Sequence, residues 1–307
     1  MSDASGSRPF ILPAKPKGGD RIRFVSPAST PDRDRVAFLA GKLQELGFVV
    51  DFGRHAFEKY GPFAGTDEQR LADLNDAYRD PMVRAIFATR GGKGSYRIAD
   101  RLDFEAIRHD PKPLLGFSDI TALHLAIFHH VSVVGFHGAL YAEDGLEPDN
   151  IALLLRLLSG SGTARFHVSP DALTTRLTCG GTASGPLIGG NLETIVVTAG
   201  WALPDLTGAI LLLEAVDCKP GGVDRALTSL RKAGHLDRIA GFAIGQFIAA
   251  EPAGADVIIE IVRDHLRRID VPVLGGLPFG HGARALTVPV GSTATIDATK
   301  GTLDVLY

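Results

Sequence analysis

The sequence predicts an α/β protein whose N-terminal half is a doubly wound, mostly parallel sheet, and three observations carry this. Short apolar runs alternate with segments of helical period, the order that builds parallel β-α-β units. Val83 to Thr89 is apolar without polar alternation, as in a strand covered on both faces. Glycine- and serine-bearing turns follow directly on two strands, at the carboxyl ends where ligands gather in such sheets.

Arg21 to Val25 reads as the first strand, and Pro31 to Leu46 as a helix carrying Val36, Leu39, Leu43 and Leu46 on one face, stopped by Gly47. Phe48 to Phe52 is a second strand. Thr66 and Gln69 form a capping box for helix Asp67 to Tyr78, with Leu71, Leu74 and Tyr78 inward and Pro81 as its stop. After the strand Val83 to Thr89 comes Arg90-Gly91-Gly92-Lys93-Gly94-Ser95-Tyr96-Arg97. Its glycines free backbone N–H groups, but neither nucleotide-loop spacing fits, so a plain turn and an anion-facing loop both stand. Ser95 to Leu102 reads as a short helix, Pro113 to Phe117 as a strand, and Val131 to Phe136 as another.

Ser118 sits between the strand Pro113 to Phe117 and a segment with Ile120, Leu123, Ile127 and Phe128 at helical spacing. A serine there fits two roles. As a nucleophile it would project past the strand end beside free helix N–H groups; as an N-cap it would only close the helix start. Thr121 occupies the place where a capping box wants Glu or Gln, and the last glycine of a G-x-S-x-G elbow is missing.

Helix Ile151 to Leu158 closes a first domain, and Ser159 to Gly185, rich in Gly, Ser and Thr, reads as a linker with one strand in it. The expected division is a disordered leader 1–20, an α/β domain 21–160, a linker 161–185 and a second domain 186–307. In the latter, Pro186 to Leu192 is a glycine turn leading into a helix. Ala209 to Leu213 is a strand with Glu214 at its carboxyl end, where the carboxylate either meets solvent or orients a catalytic group. Helix Val223 to Ala233, strand Phe242 to Phe247, helix Val257 to Ile269 and strand Val271 to Leu274 follow. The next loop, Gly275 to Gly282, holds His281 between two glycines, whereas His124, His129, His130 and His265 fall on helices and read as structural. The tail from Leu286 alternates as strands do.

The 307 residues, 45% hydrophobic and 22% charged, suffice for a large core and two domains. A net charge of -3 without a basic tract disfavours nucleic acid and anionic membrane as partners, leaving a small ligand. Cys179 and Cys218 have no partner spacing, so they read as buried thiols with neither disulfide nor zinc site. No signal peptide or spanning run is present, and a cytoplasmic protein is expected.

Taken in order, AGTDEQRLADLNDAYRDPMVRAIFATRGGKGS, LLGFSDITAL, FHG, GPLIGGNL, LLLE and GLPFGHG resemble the signature of the LD-carboxypeptidase family of serine peptidases. That family contains murein tetrapeptide carboxypeptidases and microcin C immunity peptidases. The resemblance implies a smaller, β-rich C-terminal α/β domain, an active site in the cleft between the domains, no cofactor or metal, and a homodimer. It implies Ser118 as nucleophile, Glu214 as acidic triad member and His281 as general base. An oxyanion hole then falls to the backbone N–H groups of Gly92 and Asp119. The implied activity is release of terminal D-alanine from a muropeptide. Cleavage of an aminoacyl-nucleotide amide is the alternative within the family, and noncatalytic binding of a small ligand the alternative outside it. The sequence departs from the family where Ala215 to Gly222 follows Glu214, where Lys93 replaces an aromatic residue, and where Ala139 replaces a proline after His137-Gly138.

Overall fold

A computed structural model describes residues 10–138, 141–142, 145–146, 148–282 and 284–307. The first sheet is built from β1 (Arg21–Val25), β2 (Val49–Phe52), β3 (Val83–Ala88), β4 (Leu114–Gly116) and β5 (Gly135–His137). Between them run α1 (Arg33–Glu45), α2 (Asp67–Arg79), α3 (Phe104–His109) and α4 (Thr121–Val131). A short hairpin, β6 (Tyr141–Ala142) with β7 (Gly145–Leu146), and α5 (Pro148–Ser159) lead onward. The second sheet takes β8 (Thr163–His167), β9 (Thr182–Asn191), β10 (Ile210–Cys218), β11 (Gly241–Ala249) and β12 (Val273–Leu274). Its helices are α6 (Leu192–Thr198), α7 (Pro220–Lys232) and α8 (Ala255–Leu266). The tail supplies β13 (Val288–Val290), β14 (Thr293–Asp297) and β15 (Thr302–Leu306).

The first sheet has the order β13-β5-β4-β3-β1-β2 and is parallel except for β13, which comes from the tail and pairs antiparallel with β5. The second has the order β12-β11-β10-β9-β14-β15-β8, parallel through β9 and antiparallel beyond it. Both sheets share one apolar core, which runs from Phe24 and Phe87 through Phe136 and Val288 to Leu212 and Leu303. The helices follow from their caps. Asp32 accepts the Arg35 N–H to start α1, and the Thr66–Gln69 capping box starts α2.

Several expectations need correction. Residues 1–9 of the anticipated leader lie outside the described residues, but Ile11 bonds to Ser132 and Val134, and Pro13 and Pro16 are buried. Ile11 pairs as a single residue with Val133, in the connection ahead of β5, which composition alone did not reveal. The linker 161–185 is absorbed into the second sheet: β8 alternates exposed and buried residues and closes the far edge. The strand expected at Val131 begins only at Gly135, because α4 runs on to Val131 and is stopped by Ser132 in the left-handed region at φ 56°. Ser95 to Leu102 forms two 3-10 turns rather than one helix. Leu46 lies past the end of α1 and is exposed, and Cys179 is exposed while Cys218 is buried.

Candidate active site in the interdomain cleft

β4 brings the chain to Phe117, which is extended, and Ser118 then turns to φ 60°, a left-handed conformation that costs a non-glycine residue about 1–2 kcal/mol. The residue at the N-cap of the following 3-10 turn is Phe117, and no side chain caps it. The capping reading of Ser118 therefore fails. Such strain is held in place by neighbours: a Cβ on Gly91 would lie 2.7 Å from Ser118 Cβ, and a Cβ on Gly116 2.7 Å from Ile120 Cγ2. Only bare backbone fits at these two positions.

The glycine loop past β3 is tied down from three directions. Ser29 N–H donates to Gly91 O at 3.3 Å, and Lys93 N–H donates to Ser29 Oγ at 3.1 Å. That hydroxyl fills the space a Cβ on Gly92 would need, 2.3 Å away, and Gly92 holds φ at 107°. Arg70, buried and unforeseen as an inward residue of α2, donates to Gly94 O at 2.8 Å and Pro27 O at 2.6 Å and pairs with Asp67. Ser95 N–H donates to Asp119 Oδ2 at 2.7 Å. Burial raises the Asp119 carboxyl above its ordinary value, with the hydrogen bonds from Ser95 opposing the shift. This bracing leaves the backbone N–H groups of Gly92 and Asp119 without an acceptor among the described residues, on the cleft that Ser118 lines.

Glu214 stands within β10 rather than after it, where the register against β11 shifts between Leu213 and Ala215. It is fully buried, so the solvent-facing reading fails. Its Oε2 accepts from His281 Nδ1 at 2.8 Å. The approach depends on Gly280, held at φ 107°: a Cβ there would fall 2.7 Å from Glu214 Oε2. The His281 ring leans on Phe117, with centroids 4.7 Å apart, so the imidazole lies beside the residue preceding Ser118. Ser118 Oγ makes no hydrogen bond among the described residues. Bonds of this kind often close only when substrate is bound.

The sequence-selected residues Ser118, Glu214, His281, Gly92 and Asp119 thus converge; all but the buried Glu214 line a cleft of about 1100 Å³. Its N-terminal wall carries Arg90, Lys93 and Tyr96, its C-terminal wall Glu193, Asp217 and Ile248. Ala139 lies outside the described residues. No group of His, Cys, Asp or Glu able to hold a metal occurs among the described residues, and none of their helices is long and apolar enough to cross a membrane.

Sequence reasoning missed the residues that join the two walls. Asn191 N–H donates to Thr121 Oγ1 at 3.0 Å, and a Cβ on Gly190 would meet Thr121 Oγ1 at 2.5 Å and His137 Cε1 at 2.8 Å. The paired glycines before Asn191 were the available signal, since a strand spends glycine where another backbone or side chain comes close.

Residues 22–138 match the LD-carboxypeptidase N-terminal domain and residues 184–296 the LD-carboxypeptidase C-terminal domain. A probable murein peptide carboxypeptidase of Bacillus subtilis is 33% identical, over 95% of this chain and 94% of that protein. A murein tetrapeptide carboxypeptidase of Pseudomonas aeruginosa is 31% identical, over 91% and 94%. The crystal structure of an MccF-like protein from Bacillus anthracis superposes with a TM-score of 0.83 at 28% identity, covering 96% of this chain and 99% of the other. With both domains matched in order and close relatives spanning nearly its whole length, the chain belongs to the LD-carboxypeptidase family.

Proposed function

We propose that this protein is a serine carboxypeptidase that hydrolyses an L,D amide bond and releases terminal D-alanine from a murein tetrapeptide, in cell-wall recycling. The observation that carries the reading is the 2.8 Å bond between His281 Nδ1 and the buried Glu214, made while the same imidazole rests against the residue before the strained Ser118. With Nδ1–H donated to the carboxylate, Nε2 is the basic nitrogen. It takes the proton of Ser118 Oγ as the oxygen attacks the amide carbonyl, and Glu214 stabilises the imidazolium. The tetrahedral oxyanion is received by the N–H groups of Gly92 and Asp119, each worth roughly 3 kcal/mol. The C–N bond then breaks, D-alanine leaves with the proton from His281, and water repeats the sequence on the acyl-enzyme.

The cleft supports a peptide rich in carboxylates, since Arg90 and Lys93 stand on the wall beside Ser118. Trp201, the one tryptophan of the sequence, donates its ring N–H to Val197 O at 2.7 Å and is not among the residues lining the cleft, so no indole is placed there to stack on a base, which favours the peptide over a nucleotide conjugate. Family resemblance further supports a cytoplasmic homodimer, which sedimentation of the purified chain tests.

The deciding assay offers the purified protein a murein tetrapeptide, the corresponding pentapeptide and a processed microcin analogue, with Ser118→Ala as control. Release of D-alanine from the tetrapeptide alone is expected. Cleavage of the nucleotide conjugate alone would replace the substrate, and tight binding without turnover would make the protein a noncatalytic binder.

A further inference from the structure

One buried group beside the site has no role in the chemistry above. His137 ends β5, is fully buried, and faces across the domain boundary. Its Nε2 lies 3.9 Å from Glu214 Oε1, the carboxylate oxygen that His281 does not use. Neither ring nitrogen of His137 has a hydrogen-bond partner among the described residues, and neither does Glu214 Oε1. Three such atoms in one enclosed place are unusual, because a buried polar atom without a partner costs on the order of 1–3 kcal/mol, and more when charged.

We propose that His137 is a positioning residue for the Glu214–His281 pair: its Nε2–H faces Glu214 Oε1 and fixes the carboxylate so that Oε2 stays on His281 Nδ1. The inference rests on the reading of Glu214 as the partner of a catalytic base. Two features of the geometry favour this tautomer. The Nδ1 side of the ring packs closely against Gly190, where an added Cβ would stand only 2.9 Å away, and a proton there would meet no acceptor among the described residues. On the other side, a proton on Nε2 faces an anion, and an approach of about 1 Å completes a hydrogen bond of ordinary length. The ring is also confined, with Phe117 edge-on at 6.3 Å and His124 at 6.4 Å.

The titratable groups facing this pair are few. His281 reaches Glu214 from the loop after β12, and His124 lies behind His137 on α4. Asp217, further along β10, and Glu193, from α6, line the cleft. Burial first, then the neighbouring imidazoles of His124 and His281, hold His137 well below the ordinary histidine value, so it stays neutral and keeps one N–H to donate.

Two measurements on the full chain test the proposal. Imidazole ¹⁵N spectra of the unaltered protein should report His137 as a neutral Nε2–H tautomer throughout pH 5.5 to 8. An Nδ1–H tautomer, or titration within that range, would overturn it. In tetrapeptide hydrolysis, His137→Phe fills the space without a donor and should lower kcat about 10- to 100-fold with KM little changed, the range for outer partners that orient a functional group. Loss of the donor raises the proton affinity of the Glu214–His281 pair, so the acid limb of the kcat/KM profile should also move to higher pH. His137→Gln, whose amide still donates, should recover most of the rate and return the limb. Equal losses in Phe and Gln with an unmoved limb, or no loss in either, would show a packing role only. Were the unaltered protein to turn over no peptide, the proposed function would fail while the tautomer still decided the role of His137.

Discussion

The two walls of the cleft are built on different terms. The N-terminal wall is local: the glycine loop, Ser118 and Asp119 fall within one strand-turn-helix unit and its neighbour, braced by Ser29, Ser95 and Arg70 through several backbone bonds. The C-terminal wall is assembled from afar, since Glu214 and His281 come from separate elements and meet through one 2.8 Å bond that passes over Gly280. A wall with many ties loses function mainly when a reacting atom is removed. A wall with one tie loses it when an atom is added nearby.

Removing the reacting atom should have the largest effect. Ser118→Ala is expected to reduce kcat by roughly 10⁴- to 10⁶-fold, with little change in the urea midpoint, measured by D-alanine release and by denaturation. On the other wall, Gly280→Ala places a methyl 2.7 Å from Glu214 Oε2 at a backbone angle that alanine rarely adopts. A loss of about 10²- to 10³-fold in kcat is expected, comparable to removing one oxyanion donor, whereas Gly282→Ala, which meets only Gln246 Cγ at 3.3 Å, should change it little. If both substitutions were equally mild, the single-tie description of this wall would fail.

Acid offers a third probe, aimed at the N-terminal wall. His124 on α4 has its Nε2 bonded to Gly116 O, two residues before Ser118, at 2.8 Å, and burial lowers it from 6.5 to about 4. Its folded value is below its unfolded one, so the unfolded chain takes up a proton that the native state refuses. Stability is full above pH 6.5 and falls as pH drops towards 4, by about 3 kcal/mol in total at about 1.4 kcal/mol per unit. Denaturation of the protein and of His124→Asn at pH 7 and pH 4 should show their difference shrinking by that amount. The smallest effect is expected at Lys93, whose exposed cation lines the cleft. Lys93→Gln should raise KM for the tetrapeptide by roughly 2- to 5-fold, within the range of a solvent-screened charge, and added salt should erase the difference.

Local signals were legible in the sequence, and contacts between distant segments were not. The period of α2, its capping box and the apolar run of β3, broken only by Arg84, each state their own structure, and Ser118 could be singled out because strand, turn and helix adjoin it. Glu214 and His281 could be picked through resemblance, but nothing within their own segments says that they bond. His137 illustrates the limit, because a histidine at the end of a short strand does not announce which carboxylate it will face across a domain boundary. A strand was expected within 159–185, but the glycine and serine around β8 hid its bounds and its place at the sheet edge, although its alternating residues carried the period of a half-covered strand. Ile11 was missed because a single residue has no period at all.

The tail strand β13 has a consequence for how this molecule is held together. By crossing back to lie beside β5, it covers the backbone edge next to His137 with a segment made more than a hundred residues later. A fragment ending before the tail would carry an open, sticky border, so cutting the chain at its apparent domain boundary yields no self-sufficient half. Synthesis must pass Val290 before that border beside β5 is covered.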